Sequence, residues 1–407
     1  MKQLATLALA LAGASPALAQ DFIVPANTTV NYDTTLGPIV AFNFIVQPNG
    51  VLRVTGPNAF HVRASHLVRI EGLIDLSGFD NPGVNSLNTT NIPEPGSPGG
   101  PGAGGGGTGS PLTTQSSPAG TDGFGPPLAP RVGGRGGESG ISVLSLFVDA
   151  RRPGGGGGGI LAADQGVHPD PYNTLNIGLV ATAGKNGAPT ALGVSTLTPP
   201  PRGGGMGDRV FLDADPTNDF YGVRLLTGGG LQIGELIAPV AGAGGGGGGD
   251  AINGLVWPPP VFIPTDDEKG AGGGGGGGLG IIVAPTIALA GQGKIRCDGG
   301  KGGGGENTNF LDRVGGGSGG GSGGYLILQA RVIDLRSAAP RSITALGGRG
   351  GPGKDSIFNG IDAGGNGGPG VIGLHMPPNA APLVPVGKTI GDMTAPHAIV
   401  LLPDRRL

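Results

Sequence analysis

A lone cysteine among 407 residues, Cys297, leaves no disulfide to be made within the chain, so packing and backbone hydrogen bonds must supply the stability. Aromatic residues are equally scarce, with 12 Phe, 4 Tyr and one Trp. That argues against a groove lined with rings for stacking sugars. Charged residues make up 13% and the net charge is −3, which removes the electrostatic case for nucleic acid or an anionic membrane surface. No long segment with a 3.6-residue apolar period follows residue 20, so helix should be rare. The closing stretch "APHAIVLLPDRRL" holds only a short apolar run, and no transmembrane anchor is expected there.

Glycine is what the chain has in abundance. Its 91 Gly and 38 Pro are roughly a third of all residues, a level typical of low-complexity sequence, yet 37% of residues are hydrophobic. The first residues, "MKQLATLALALAGASPALAQ", carry a Lys, an apolar stretch and Ala17-Leu18-Ala19. This reads as a signal peptide over 1–19, cleaved after Ala19, and implies export to the extracellular space, the cell surface or the periplasm. The remainder, 20–407, reads as one elongated glycine-rich domain, with 83–137 as its largest Gly/Pro/Ser-rich loop.

The strongest periodic signal lies in Ala41–Gly78. Phe42, Phe44, Val46, Leu52, Val54, Phe60, Val62, Ala64, Val68, Ile70, Ile74 and Leu76 share one parity, while Arg53, Arg63, Arg69, Glu71 and Asp75 take the other. Alternation of this kind places one face inside and one in water. Breaks at Pro48-Asn49-Gly50, Gly56-Pro57-Asn58 and Gly72 supply turns.

The pattern recurs in Ala271–Gly305, where Ile281, Val283, Ile287, Leu289, Ile295 and Cys297 are expected inside. It recurs again in "YLILQARVIDLRSAAPRSITALGG", with Leu326, Leu328 and Val332 in phase before a one-residue shift to Ile333 and Leu335. Weaker copies fall at "SGISVLSLFVDARRP", "GVRLLTGGGLQIGELIAP" and "GPGVIGLHMP". Irregular recurrence of short strands closed by Gly predicts an all-β fold, a right-handed parallel β-solenoid.

Between these rungs lie the glycine runs, among them 99–109, 244–249, 272–278 and 315–324. They are either flexible linkers or packed threefold helices like polyproline II that keep their N–H groups, a polyglycine II-like state. With the signal peptide, "GLIDLSG"-type rungs and "GGGSGGGSGGYLIL"-type lead-ins, the chain resembles the glycine-rich, β-solenoid-type surface proteins exported by some bacteria. The resemblance implies an extracellular structural or adhesive part.

Chemical motifs are easily mimicked by glycine-rich sequence. "GGSGG" occurs at Gly316–Gly320 and Gly320–Gly324, but a nucleophile elbow needs a strand before its Ser and a helix after it, and here the strand follows. Asp250 and Asp355 sit in matches to the calcium-binding nonapeptide G-G-x-G-x-D-x-U-x and are the candidate metal residues. Shared calcium sites need tandem copies, and these two are single, so calcium is the one cofactor raised and none is required. In "DADPTND" the acidic spacing of Asp213, Asp215 and Asp219 lacks the loop glycine and closing Glu, which favours a solvated turn. "TDDEK" at Thr265–Lys269 reads as a charged loop tip.

Exported solenoids include polysaccharide lyases and hydrolases, so the outward carboxylates Glu71, Asp75, Asp298 and Asp334 are the catalytic candidates for that alternative. No basic array or aromatic platform surrounds them, and only Trp257 offers a ring for a sugar. His61, His66, His168, His375 and His397 show no metal-ligand spacing, and Cys297 shares the buried parity. The expectation is a non-enzymatic surface or matrix protein, with polysaccharide and self-association as its partners. The alternatives are a carbohydrate-active enzyme and a calcium-stiffened surface protein.

Overall fold

Turn residues set the repeat. Asn27 and Asn49 both adopt left-handed φ, 57° and 58°, a conformation Asn tolerates better than most residues. The two turns stack, and the Asn49 amide donates to Asn27 Oδ1 at 3.1 Å. At the next turn Gly72 lies so close to its neighbour that a Cβ would sit 2.1 Å from the Gly50 carbonyl oxygen. A side chain there would force the stacked turns apart.

The computed structural model describes residues 20–84, 92–109, 120–125, 134, 140–143, 217–234, 236, 238–249, 251–255, 261–262, 269–308, 313–352 and 364–407. The described chain is predominantly β, with one four-residue α-helix, Ile390–Met393, and one 3-10 turn, Thr34–Leu36. Two parallel sheets dominate. The first runs in the order Phe22–Val24, Ile39–Val46, Phe60–Ile70, Leu279–Val283, Tyr325–Gln329, Val371–His375, Ile399–Leu401. Thr286–Gly291 also pairs with the long Phe60–Ile70 strand and with Val332–Ala338. The second runs Thr29–Asp33, Val51–Thr55, Leu73–Asp75, Lys294–Arg296, Ile343–Thr344, Thr394–Ala395. In each pass the chain visits the first sheet before the second, so residues of like position stack on one another.

Side chains then form ladders. Leu52, Ile74, Ile295 and Ile343 are register partners along the second sheet, all fully buried. Val62, Ile282, Leu328 and Leu374 form another along the first, and Phe44, Val68, Ile287 and Ile333 a third. These ladders meet in one apolar core. Each buried aliphatic side chain contributes about 1.5–3 kcal/mol relative to exposure.

Parity holds from Phe44 to Leu76, with two kinds of exception elsewhere. Phe42 is 46% exposed while Ala41 is buried, because the pairing register shifts between Ala41 and Asn43. Ile281 and Val283 face away from the main core into a second apolar cluster with Phe220, Tyr325, Ile327 and Leu401, and Ile282 takes the inner place. The first sheet is covered on both sides there, so its strand reads as a continuous apolar run. Val332 is likewise exposed, and the inward set resumes at Ile333 after the corner at Ala330. The "GVRLLTGGGLQIGELIAP" copy is no rung: Val223–Leu225 and Leu231–Ile233 pair antiparallel as a hairpin, with Leu231 and Ile233 exposed.

The described glycine runs are packed, not slack. They carry the chain out of the second sheet and back into the first, as Cys297–Glu306 and Gly315–Gly324 do between Arg296 and Tyr325. Backbone N–H groups of 315, 318, 321 and 324 donate to Glu306, Gly303, Gly300 and Cys297, while those of 316, 319 and 322 donate to Gly249, Gly246 and Ala243. Residues 320 and 323 reach a third neighbour at Gly365 and Gly368. A bonding period of three, with each position aimed at a different neighbour, is what a threefold extended helix gives when it has lateral partners. Such backbones lie closer than side chains allow. A Cβ on Gly321 would stand 2.0 Å from the Gly275 carbonyl oxygen, and one on Gly364 at 1.7 Å from that of Ser318.

Candidate functional site

Strand geometry places residues i and i+2 on one face. The outward carboxylates use it to meet arginines. Glu71 pairs with Arg69 at 2.7 Å, Asp298 with Arg296 at 3.0 Å and Asp334 with Arg336 at 2.7 Å. Asp75 instead takes Arg53 of the neighbouring pass at 2.8 Å, and that guanidinium lies 4.1 Å from the Phe79 ring centroid. Asp298 is further committed: one oxygen accepts from the Thr344 hydroxyl at 3.0 Å, the other from the Leu346 N–H at 2.8 Å. The Arg336 guanidinium holds the Asp334 carboxyl below the usual range. General acid work needs a carboxyl pushed upward, the opposite direction.

Asp250, Asp355, Trp257, His168, Asp213 and Asp215 lie outside the described residues, as do 1–19 and 265–268. Asp219 is buried, 1% exposed, and not in a solvated turn. Lys269 is not at an exposed tip: its side chain is fully enclosed, with Nζ 3.4 Å from Glu94 and its backbone N–H donating to Glu306 at 3.2 Å. Burial of that ammonium is tolerated only beside carboxylates.

The two serines of "GGGSGGGSGG" are structural. Ser318 is fully buried and its hydroxyl donates to the Gly272 carbonyl oxygen at 2.5 Å; Ser322 Oγ accepts the Ala243 N–H at 2.9 Å. Neither has a histidine among these partners. His66 stacks on Phe42 at 5.1 Å and hydrogen-bonds Asn43 at 2.9 Å. Cys297 is buried in the main core, and burial pushes its thiol well above its ordinary pKa.

The densest polar arrangement lies on the outer face of the first sheet, where sequence reasoning placed nothing. Gln329 ends its strand there, and its side-chain amide brackets the Asp404 backbone, donating to the carbonyl oxygen at 3.0 Å and accepting the N–H at 2.9 Å. The Tyr221 hydroxyl donates to Asp404 Oδ2 at 2.5 Å. Arg406 binds the same carboxylate at 2.9 Å and lies 5.1 Å from the Tyr221 ring centroid. Hydrogen bonds from Arg406 hold the Asp404 carboxyl far below the usual range, and desolvation raises Tyr221 to about 12.

Beside them His375, fully buried at the end of the next strand, meets the Leu402 carbonyl oxygen at 3.0 Å. That oxygen only accepts, so Nδ1 carries the proton, while Nε2 has no hydrogen-bond partner among the described residues. Burial lowers this imidazole's pKa. Farther along, Arg63 donates to the Leu407 backbone oxygen at 2.6 Å. A nearby cleft of about 260 Å³, lined by Leu225, Thr227, Met376, Pro377, Asn379 and Leu402, is below the ~300 Å³ at which ligand pockets begin. One signal was present in the sequence: Arg69-x-Glu71, Arg296-x-Asp298, Asp334-x-Arg336 and Asp404-x-Arg406 repeat one motif, opposite charges two residues apart.

No protein family, no curated protein and no solved structure matches the chain. Among the described residues no helix is long and apolar enough to cross a membrane.

Proposed function

We propose that this chain is a non-enzymatic, exported structural protein of the cell surface or extracellular matrix, serving adhesion or assembly. Its body in this reading is a right-handed parallel β-solenoid flanked by a polyglycine II-like bundle. Parallel strands stacked in order from successive passes support the solenoid, and the handedness follows the strong preference of parallel crossovers. The observation that carries the function is the glycine bundle itself. Its described segments are rich in glycine and spend backbone N–H groups on one another, which makes a stiff wall. The carboxylates that a lyase or hydrolase would use are each engaged by an arginine, which weighs against the enzymatic alternative.

The ligand class we assign is polysaccharide. The test is retention of the mature chain, Gln20 to Leu407, on a polysaccharide panel, with new reducing ends assayed in the same wells. Retention without release is the expected result. Release of reducing ends would overturn the structural reading and direct mutagenesis to Asp75 and Asp298.

A further inference from the structure

The last six residues are held as a ligand is held. Beyond the strand Ile399–Leu401, the Leu402 N–H makes one last backbone bond, to Val223, and Pro403 has no N–H to offer. From there the chain leaves the sheet ladder and crosses the outer face of the first sheet, from Gln329 to Arg63 on an earlier strand. Side chains of the body grip it at three residues: His375 at the Leu402 carbonyl, Gln329 at both backbone groups of Asp404, Tyr221 at the Asp404 carboxylate, Arg63 at Leu407. A side-chain amide that satisfies both backbone groups of one residue imitates strand pairing and reads an extended peptide. Under the segment lies the apolar cluster of Ile281, Tyr325 and Leu401, against which Leu407 packs.

We infer that this face is a peptide-recognition groove, occupied by the chain's own 402–407 segment, and that the same segment of a second copy takes its place and joins copies. The inference rests on the assembly part of the proposed function. The groove's chemistry is specific: a backbone bracket at Gln329, a hydroxyl donor for an acidic side chain, an aromatic face for the arginine two residues on, and a guanidinium for a backbone oxygen. Exchange of identical segments between copies needs no new surface, because every contact made in cis is remade in trans. Among the described residues no sheet ladder holds the segment past Leu402, so its exchange breaks only these side-chain contacts and the packing of Leu407.

The test uses the full chain and a fluorescent peptide of sequence Ile399 to Leu407. The full chain carrying D404N and R406Q keeps the shape and backbone contacts of its own segment but loses the carboxylate that Tyr221 and Arg406 hold. It is expected to bind the peptide at least tenfold more tightly than the wild-type chain, whose groove is filled. A peptide with Ala in place of Asp404 should lose that binding, and so should a chain that also carries Q329A. Absence of peptide binding by a D404N, R406Q chain of native circular dichroism and cooperative melting overturns the groove.

If that double variant does not fold, wild-type chains are read instead by native mass spectrometry. Dimers that grow with concentration and dissolve in excess peptide support exchange; dimers indifferent to the peptide, or none, overturn it. Loss of polysaccharide retention with peptide capture intact would sink adhesion alone. Retention with no capture would sink the groove alone.

Discussion

Ser318 engages Gly303 with both side chain and backbone: its hydroxyl oxygen accepts the Gly303 N–H at 2.7 Å, and its own N–H donates to the Gly303 carbonyl oxygen at 3.0 Å. The first bond belongs to the side chain and the second to the period-three ladder. Replacing Ser318 by Ala therefore leaves the ladder bond in place and orphans a buried N–H and the Gly272 carbonyl. A buried donor left unsatisfied costs about 1–3 kcal/mol. Ser318→Ala is expected to lower the denaturation midpoint by that amount without changing the denaturant slope, measured by urea titration.

The close approach of glycine backbones gives a sharper case. Gly321→Ala puts a methyl 2.0 Å from the Gly275 carbonyl oxygen, whereas Gly230→Ala meets nothing nearer than Leu226 Cδ1 at 3.8 Å. Overpacking costs about 1–3 kcal/mol where neighbours can yield, and more where they are rigid backbone. The Gly321 variant should melt well below wild type, and the Gly230 variant within a degree or two of it. Equal melting temperatures would mean the bundle does not close around Gly321.

Cys297 supplies a probe that needs no substitution. It is the chain's one thiol, is fully buried, and is held in its neutral form by burial and by Asp298 and Asp75 nearby. The thiolate is the reactive species. Labelling by a disulfide reagent should be negligible in buffer and should rise with denaturant in step with unfolding. Fast labelling of folded protein would contradict the burial.

Asp404 links the tail to pH. Arg406 and Tyr221 depress its folded pKa below the unfolded value near 3.9, so the stability it contributes is present above about pH 4. It is lost as pH falls through the depressed folded value. Asp404→Asn should be less stable than wild type at pH 7 and should show a shallower fall in melting temperature below about pH 4. Parallel acid limbs for the two proteins would show that the carboxylate is not engaged.

Alternation made the strands from Phe44 to Leu76 legible, because each is buried on one side and wet on the other. It failed at Phe42, where a bulge resets the parity, and at Ile281, where a second layer covers the outer face. Period alone cannot reveal what packs on a sheet from outside. That layer comes from Phe220, Tyr221, Leu236, Val240 and Leu407, distant in sequence from the strands they cover, so nothing local announces it. The glycine runs were legible as candidates for packing and no further, since polyglycine carries no side-chain pattern to choose a neighbour. Of the tail cluster only the Asp404-x-Arg406 pair was visible; Gln329 and Tyr221 look like ordinary strand and loop residues until the fold brings them to it.

A ladder of period three is indifferent to a slip of three. If Gly315–Gly324 slid along its neighbours by three positions, each backbone donor would still face an acceptor. Only the anchored strands at either end and the occasional side chain, such as Ser318 between Gly272 and Gly303, distinguish one setting from the next. Length in these runs is therefore quantised. Gains or losses of three residues keep every donor aimed at its own neighbour, while a change of one turns the whole segment by a third of a revolution and aims each donor at the wrong wall.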